Sequence, residues 1–473
     1  MTTYSDAIKE IVKTEEELGI YHAKILGFSF WKIVRSFVIE RHLQAKYKFE
    51  RRDSLKKTSN PISLLNNFIK SFFEYIILIQ KSTKTINNVF YAFPRLQFLG
   101  DIYIDKFTDP IISETNLANN TLIFQRPLSG VHKHPRTNKE QVIKSDFIEF
   151  SSKLLGIIFL PLTFLFFFPV ILKTYKISKS FFSLRPIDIV KFTLKTSIFL
   201  LSYYFQKIIL KKIKPKNIFI VSRELNYPVL LACKKLKIRT FELQHGVTNG
   251  HTILYSSIYD KEIDPDFFLT FGEFWEAKYF GVPEDKIINI GWAYKKRLDE
   301  LQNSQIYDNK TVLIISEPTI SKKLLKSIFE LAKEYPEFNF HIRLHPQEMY
   351  NNSDLERINR IPNLSILNNN TEVNLVLASY QFIMGVNSSV LFEAISLNKK
   401  VGRIGFNGCS PHQTNNLFKE VFTPINKLTD FNTFIKRIEK EELKNPFYSK
   451  FEKERFIKLI NILEAEPTRY DKD

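Results

Sequence analysis

Four places in this chain put polar side chains where chemistry on a phosphate-bearing molecule could be done, and each follows a run of strand-forming residues. Gln244-His245-Gly246 comes directly after IRTFEL. A histidine there can face a cleft and the glycine allows a tight turn, although a turn histidine satisfied by backbone groups fits the same residues. Arg343-Leu344-His345-Pro346 closes another strand; Arg343 and His345 offer donors for phosphate oxygens, and Pro346 sets the turn. Asn387-Ser388-Ser389, with Glu393 a turn later, runs from strand into helix. Hydroxyls and unpaired N–H groups at a helix N-terminus suit a phosphate, and Glu393 could reach a ribose hydroxyl; a plain serine N-cap is the simpler alternative. Gly291, followed by Trp292 and Lys295, reads first as a turn between domains.

The elements that must position these residues follow from periodicity. NVFYAFP (88–94), TLIFQR (121–126), NIFIVS (217–222), IRTFELQ (238–244), DFFLTFG (266–272) and IINIG (287–291) read as strands, with a helix from Tyr227 to Leu236. A second block repeats the alternation: TVLIIS (311–316), FNFHIRL (338–344), LSIL (364–367), QFIMGV (381–386) and KKVGRI (399–404), separated by helices. Strands and helices at this spacing predict an α/β fold of two Rossmann-like domains with parallel sheets, whose ligands sit at the carboxyl ends of the strands. The expected layout is a helical N-terminal region (1–80), a first Rossmann-like domain (81–300) with an apolar and basic helical insertion (142–216), and a second Rossmann-like domain (301–473). The basic tract Lys46–Lys57 reads as a solvated loop, Tyr294–Lys310 as the linker, and 430–464 as a closing helical segment.

The insertion begins with a charge-free run of 19 residues, Leu154 to Leu172, interrupted by Pro161 and Pro169. Lys173, Lys176, Lys179, Arg185, Lys191 and further lysines follow, opposed only by Asp188. An apolar wedge with a basic, aromatic flank suits a helix lying in an anionic membrane surface at 154–216. A full span would put the two flanks of one domain on opposite sides of the bilayer, and a buried helix pair with a solvated edge is the alternative. The net charge of +18 implies an anionic partner. Its concentration beside the wedge favours lipid over nucleic acid, which would want an exposed basic groove with stacking aromatics. Two distant cysteines, Cys233 and Cys409, make neither a disulfide framework nor a zinc site, and the polar start MTTYSDAIKE does not read as a signal peptide. The expected location is cytoplasmic, peripheral on the inner face of the membrane.

In order and spacing, these motifs resemble those of a group of bacterial transferases: the capsule Kdo transferases, the polysialyltransferases and the CDP-glycerol glycerophosphotransferases of teichoic-acid synthesis. The matching residues are QHG at 244–246, the segment from Asp266 to Gly291, TVLIIS followed by Glu317-Pro318, RLHP at 343–346, and NSSVLFEA at 387–394 followed by Lys399-Lys400-Val401. The resemblance covers roughly 217–405. It implies a GT-B architecture with the donor nucleotide held by the second domain. His345, Ser388 and Ser389 fall where those families contact the donor phosphate, Glu317 and Gly291 fall within the matched motifs, and His245 falls where the glycerophosphotransferases carry a proposed base. Glu393 and Gly291-Trp292-Ala293-Tyr294 depart from the glycerophosphate pattern, which favours a CMP-sugar donor.

The resemblance implies a glycosyltransferase of capsule or lipopolysaccharide synthesis, moving a sugar from a nucleotide-activated donor to a glycan or lipid-linked acceptor, with no cofactor. Such transfer needs a base near the acceptor hydroxyl and donors at the departing phosphate. His245 or Glu224, the latter after a strand in SRELNYP, could be the base; Arg343, His345, Ser388 and Ser389 would hold the leaving group. Asp264-Pro265-Asp266 spells a D-x-D but precedes a strand, so no metal is expected there. The rival readings are a teichoic-acid-type glycerophosphotransferase, a GT-B-fold sugar-nucleotide epimerase or hydrolase, and a non-catalytic membrane scaffold.

Overall fold

The computed structural model of the protein describes residues 4–47, 60–80, 85–128, 130–248, 251–302, 309–346, 348–411, 417–436 and 447–462. Most of the basic tract Lys46–Lys57, the middle of the 294–310 linker and part of the closing 430–464 segment lie outside them. The molecule has two lobes, each built on a parallel sheet. The first sheet holds β1 (Asn88–Ala92), β2 (Thr121–Gln125), β3 (Val142–Lys144), β4 (Asn217–Val221), β5 (Arg239–Leu243), β6 (Phe267–Thr270) and β7 (Ile287–Asn289) in the order 3-2-1-4-5-6-7. The second holds β8 (Thr311–Ile315), β9 (Asn339–Arg343), β10 (Leu364–Ile366), β11 (Phe382–Gly385), β12 (Lys400–Ile404) and β13 (Thr423–Ile425) in the order 10-9-8-11-12-13. Both are doubly wound, and the order reverses at β1/β4 and at β8/β11; those crevices are where such sheets take ligands. The central strands β1, β4 and β8 are buried along their whole length, as parallel strands covered on both faces must be.

The strand reading of the sequence therefore holds, and the α/β class with it. The end of the chain sits differently from its place in sequence. Phe447 to Ile462 returns to the first lobe: Trp275 Nε1 donates to the Phe447 carbonyl at 2.7 Å, Ser449 N–H to the Phe271 carbonyl at 2.9 Å, and Phe456 lies 5.5 Å from Phe219, ring to ring. Periodicity cannot assign a terminal helix to a lobe; only packing does. Gly291 is the point that admits this return. Its φ is +71°, and a Cβ there would sit 2.1 Å from the Lys450 carbonyl oxygen, a space and a backbone angle open only to glycine.

The first lobe carries extra helices on its outer face. α1 (Tyr4–Glu17) and α2 (Trp31–Tyr47) are tied down by buried Glu15, which accepts from Trp31 Nε1 at 2.7 Å and Arg35 Nε at 2.8 Å. The apolar run Leu154–Leu172 spans two helices rather than one. α4 (Asp146–Ile158) stops at Phe159, two residues before Pro161, and α5 (Leu160–Phe182) keeps Pro161 in its first turn, where a missing N–H costs little, and Pro169 inside. The long helix α6 (Ile187–Ile213) buries Phe192, Phe199 and Leu210 beneath them. α3 (Pro61–Gln80) packs on α4 through Phe68, whose ring is 5.1 Å from Phe150 and 5.8 Å from Phe147. Together α3, α4 and α5 leave an apolar surface outside: Ile62, Leu65, Phe73 and Ile77, then Leu154, Ile157 and Ile158, then Leu165 and Phe166, the last two 71% and 68% exposed. Both α3 and α5 are long and apolar enough to cross a membrane.

Candidate functional site

The carboxyl ends of the two sheets face each other. From the first lobe, the residues after β1 are Phe93-Pro94-Arg95, and a second loop runs from Asp105 to Thr108. The fully buried carboxylate of Asp105 joins them, accepting from Phe93 N–H at 2.7 Å, Phe107 N–H at 3.0 Å and Thr108 Oγ1 at 2.9 Å. Asp109 and Arg136 form a bidentate pair behind it. Burial and the neighbouring Asp109 push Asp105 up to about 6. Two cationic side chains leave this frame toward the second lobe. Arg95 Nη1 lies 3.4 Å from His345 Nε2, and Lys106 Nζ donates to Glu393 Oε1 at 2.7 Å.

The second lobe meets them with loops that are equally braced. Glu348 accepts from Ser316 Oγ at 2.7 Å, Ser321 Oγ at 2.5 Å and the His345 N–H at 3.2 Å, so the loop after β9 is fixed to that after β8. Glu317 accepts from Asn387 N–H at 2.8 Å across the β8/β11 crevice. Arg403 donates to the Val386 carbonyl at 2.9 Å and Asn387 Oδ1 at 2.8 Å. Helix α8 (Ser389–Ser396) starts there, with Ser388 as N-cap accepting from Val390 N–H at 3.4 Å. His345 and Ser388 thus lie on one edge, two strand spacings or roughly 10 Å apart.

Of the residues expected from sequence, His345, Asn387, Ser388 and Ser389 are half-buried along this edge, and Pro346 is exposed in the β9 loop. Glu317 and Asn387 brace the loop that leads into α8. Arg343 does not join them: it is 8% exposed and its guanidinium donates to the Asn368 and Thr371 carbonyls at 3.2 and 2.5 Å. An inward-facing residue at a strand end is consumed by the nearest loop, which alternation alone could not reveal. Gly291 lies under the returning chain end and serves packing. Glu393 is 1% exposed and already held by Lys106, rather than open to a ribose. Its Oε2 is buried without a hydrogen-bond partner.

His245 stands at the end of β5 with its ring 5.2 Å from Phe93. Buried Tyr255 orients it: the phenol oxygen accepts the His245 backbone N–H at 3.1 Å and lies 2.8 Å from His245 Nδ1, a contact that either ring tautomer can make. Gly246 is not demanded by its turn; a Cβ there would meet nothing within 4 Å among the described residues. Glu224 points elsewhere: its carboxylate accepts from Ser36 Oγ at 2.5 Å and lies 3.9 Å from Arg35, beneath the α2 helix, where burial raises its pKa. Asp264 and Asp266 are likewise engaged at the amino end of β6, with Lys32 at 2.7 Å and Lys234 at 2.5 Å.

The sequence reading missed Arg95, Lys106 and Asp105. A signal was available for Arg95, since it follows a strand that ends in proline, as the RLHP segment does. Lys106 and Asp105 lie in an irregular stretch with no periodicity to read.

No family model matches the chain, and no curated protein sequence matches it. Solved structures do. The UDP-GlcNAc 2-epimerase from Methanocaldococcus jannaschii aligns over 80% of this chain and 99% of its own at 12% identity, with a TM-score of 0.49. The UDP-GlcNAc 2-epimerase from Neisseria meningitidis bound to UDP-GlcNAc aligns over 80% and 99% at 16% identity, with a TM-score of 0.46. The wall teichoic acid polymerase TagF aligns over 86% and 98% at 10% identity, with a TM-score of 0.37. Identity this low says nothing of substrate. The chain's own two doubly wound sheets, with crevices facing one another, make it an α/β protein of GT-B-like architecture with two Rossmann-like domains.

Proposed function

We propose that the protein is a transferase that takes a nucleotide-activated donor in its second lobe and passes the activated group to a membrane-held acceptor. The observation that carries this reading is the meeting of Arg95 and His345 across the two crevices. Arg95 can donate to the imidazole, and both side chains carry further N–H groups from which a phosphate at this edge could accept. The α8 N-terminus with Ser388 and Ser389 adds donors on the same edge. His245 would act on an oxygen on the acceptor side. The finer assignment of a CMP-linked sugar rests on the motif resemblance alone.

The apolar surface of α3, α4 and α5 supports a lipid-bound location at the inner face of the membrane, because a soluble protein gains nothing by exposing so many large aliphatic and aromatic side chains. The same feature favours transfer over the second reading, a sugar-nucleotide epimerase or hydrolase, whose substrate needs no membrane. The teichoic-type glycerophosphotransferase shares the membrane requirement and differs in the group moved.

A thermal-shift series with CMP, CDP, UDP and GDP tests the donor site: one nucleotide should raise the melting temperature, and Arg95→Ala and His345→Ala should each weaken it by roughly tenfold in Kd. No shift with any nucleotide would remove the reading. Epimerised or hydrolysed donor in the absence of membrane would select the second reading instead.

A further inference from the structure

The first lobe holds an open cavity of about 130 Å³ that the donor chemistry does not use. It lies beyond the ends of β1 and β2 and is lined by Arg126, Lys133, His134, Arg136, Lys139 and Lys144, with Glu74 the only acidic side chain on its wall among the described residues. Arg126 is paired with Glu149 at 3.1 Å and Arg136 with Asp109. Among the described residues, Lys133, Lys139 and Lys144 have no ion pair. Arg136 is 6% exposed; both Nη atoms are committed to Asp109, Thr137 and Gln125, and its Nε is buried without a partner. Burial first, then the charges of Lys144, His132 and Lys70, hold His134 below its usual range.

The wall of this cavity is also the inner side of the apolar surface. Glu74 of α3 accepts the Lys144 N–H at 2.9 Å, and Ser71 Oγ donates to the Lys144 carbonyl at 2.6 Å. One residue from Glu74, Phe73 is 55% exposed on the outside of the same helix. A cationic hollow therefore lies within one helix diameter, about 10 Å, of the lipid-facing surface.

We infer that this cavity binds the phosphate or diphosphate head of a lipid-linked ligand, whose hydrocarbon chain runs along the outer faces of α3 and α4. The inference rests on the membrane-acceptor reading above and names the acceptor's anionic group. An oxyanion entering the hollow gains Lys139 and Lys144 and approaches Arg136, while the tail stays on the apolar face.

Isothermal titration of the full chain with farnesyl phosphate, farnesol and inorganic phosphate tests it. Farnesyl phosphate should bind, and Lys139→Ala with Lys144→Ala should weaken it by roughly tenfold or more, since two charge-assisted contacts are lost. Farnesol should bind more weakly and equally to both chains. Phe73→Ser with Ile77→Ser should weaken farnesyl phosphate and leave inorganic phosphate unchanged. Equal affinity for inorganic and farnesyl phosphate would make this a free-phosphate site and overturn the inference, as would unchanged farnesyl phosphate binding in the lysine variant. The nucleotide thermal shift of that variant is the separate control: if it persists while farnesyl phosphate fails to bind, the donor reading survives and this one falls.

Discussion

The two lobes share a strand order and differ in how they hold their cleft loops and in what their outer surfaces meet. In the first lobe one carboxylate, Asp105, is fully buried beside a second, Asp109, and takes three donors from the loops at the cleft. In the second, Glu348 braces its loops through two serine hydroxyls and a backbone N–H, without a second carboxylate in its hydrogen-bond set. Outside, the first lobe shows Phe73, Ile77 and Phe166, whereas the second shows Lys322, Lys326 and Lys333 on its helix Ser321–Glu334, which turns Leu324, Ile328 and Leu331 inward. The contrast teaches that one Rossmann-type framework can carry outer helices with a lysine-bearing surface on one lobe and an apolar surface, the one proposed to meet lipid, on the other.

The largest effect should come from the outer surfaces. Burying each large apolar side chain contributes about 1.5–3 kcal/mol. These side chains are roughly half exposed, so Phe73→Ser, Ile77→Ser and Phe166→Ser together should lower partition onto anionic vesicles by roughly a hundredfold or more. Lys322→Ser with Lys326→Ser in the second lobe should change it less than about twofold. Flotation that treats the two variants alike would erase the distinction between the lobes.

Next is the bracing of the loops. Asp105→Ala leaves three buried donors and should cost about 3 kcal/mol or more in urea unfolding; Glu348→Ala should cost about 1–2 kcal/mol. Equal losses would mean the two carboxylates are equivalent after all.

Acidity sharpens the same comparison. The folded-state pKa of Asp105 is raised, so its share of stability is complete below the ordinary carboxylate range and is lost as pH rises through about 6. Asp105→Asn should flatten the stability profile between about pH 4 and 6 by an amount on the order of 2 kcal/mol. An unchanged slope would show that Asp105 is not the group responsible.

The smallest expected effect lies between the lobes. Lys106→Ala strands the buried Glu393 carboxylate and should cost about 1–2 kcal/mol, part of it recovered by adding Glu393→Gln. Additive losses in that double-mutant cycle would mean the pair does not couple the two lobes.

Much of this was legible in the residues themselves. Runs such as NIFIVS and TVLIIS are short, apolar and bounded by turn formers, and they became the central strands β4 and β8. Motifs at strand ends landed at carboxyl edges because alternating strands and helices force a parallel sheet. The apolar run Leu154–Leu172 was legible as a surface feature. Its companion α3 was not, because ISLLNNFIKSFFEYIILIQ carries Asn66, Asn67, Lys70 and Glu74 and reads as an ordinary helix until Glu74 and Ser71 are seen to face Lys144.

What the sequence determined by itself was local: which segments are strands, which end in polar residues, and where apolar runs are too long to be ignored. Tertiary structure decided the direction of each polar group. It turned Arg343 onto loop carbonyls, sent Glu224 beneath α2, set the His245 ring against Tyr255, and drew Arg95 from a strand end and Lys106 from a stretch without periodicity into the cleft. The physical reason is that strand and helix periods are set by neighbours in the chain, whereas a buried hydrogen bond is set by whichever donor and acceptor the packing brings within about 3 Å.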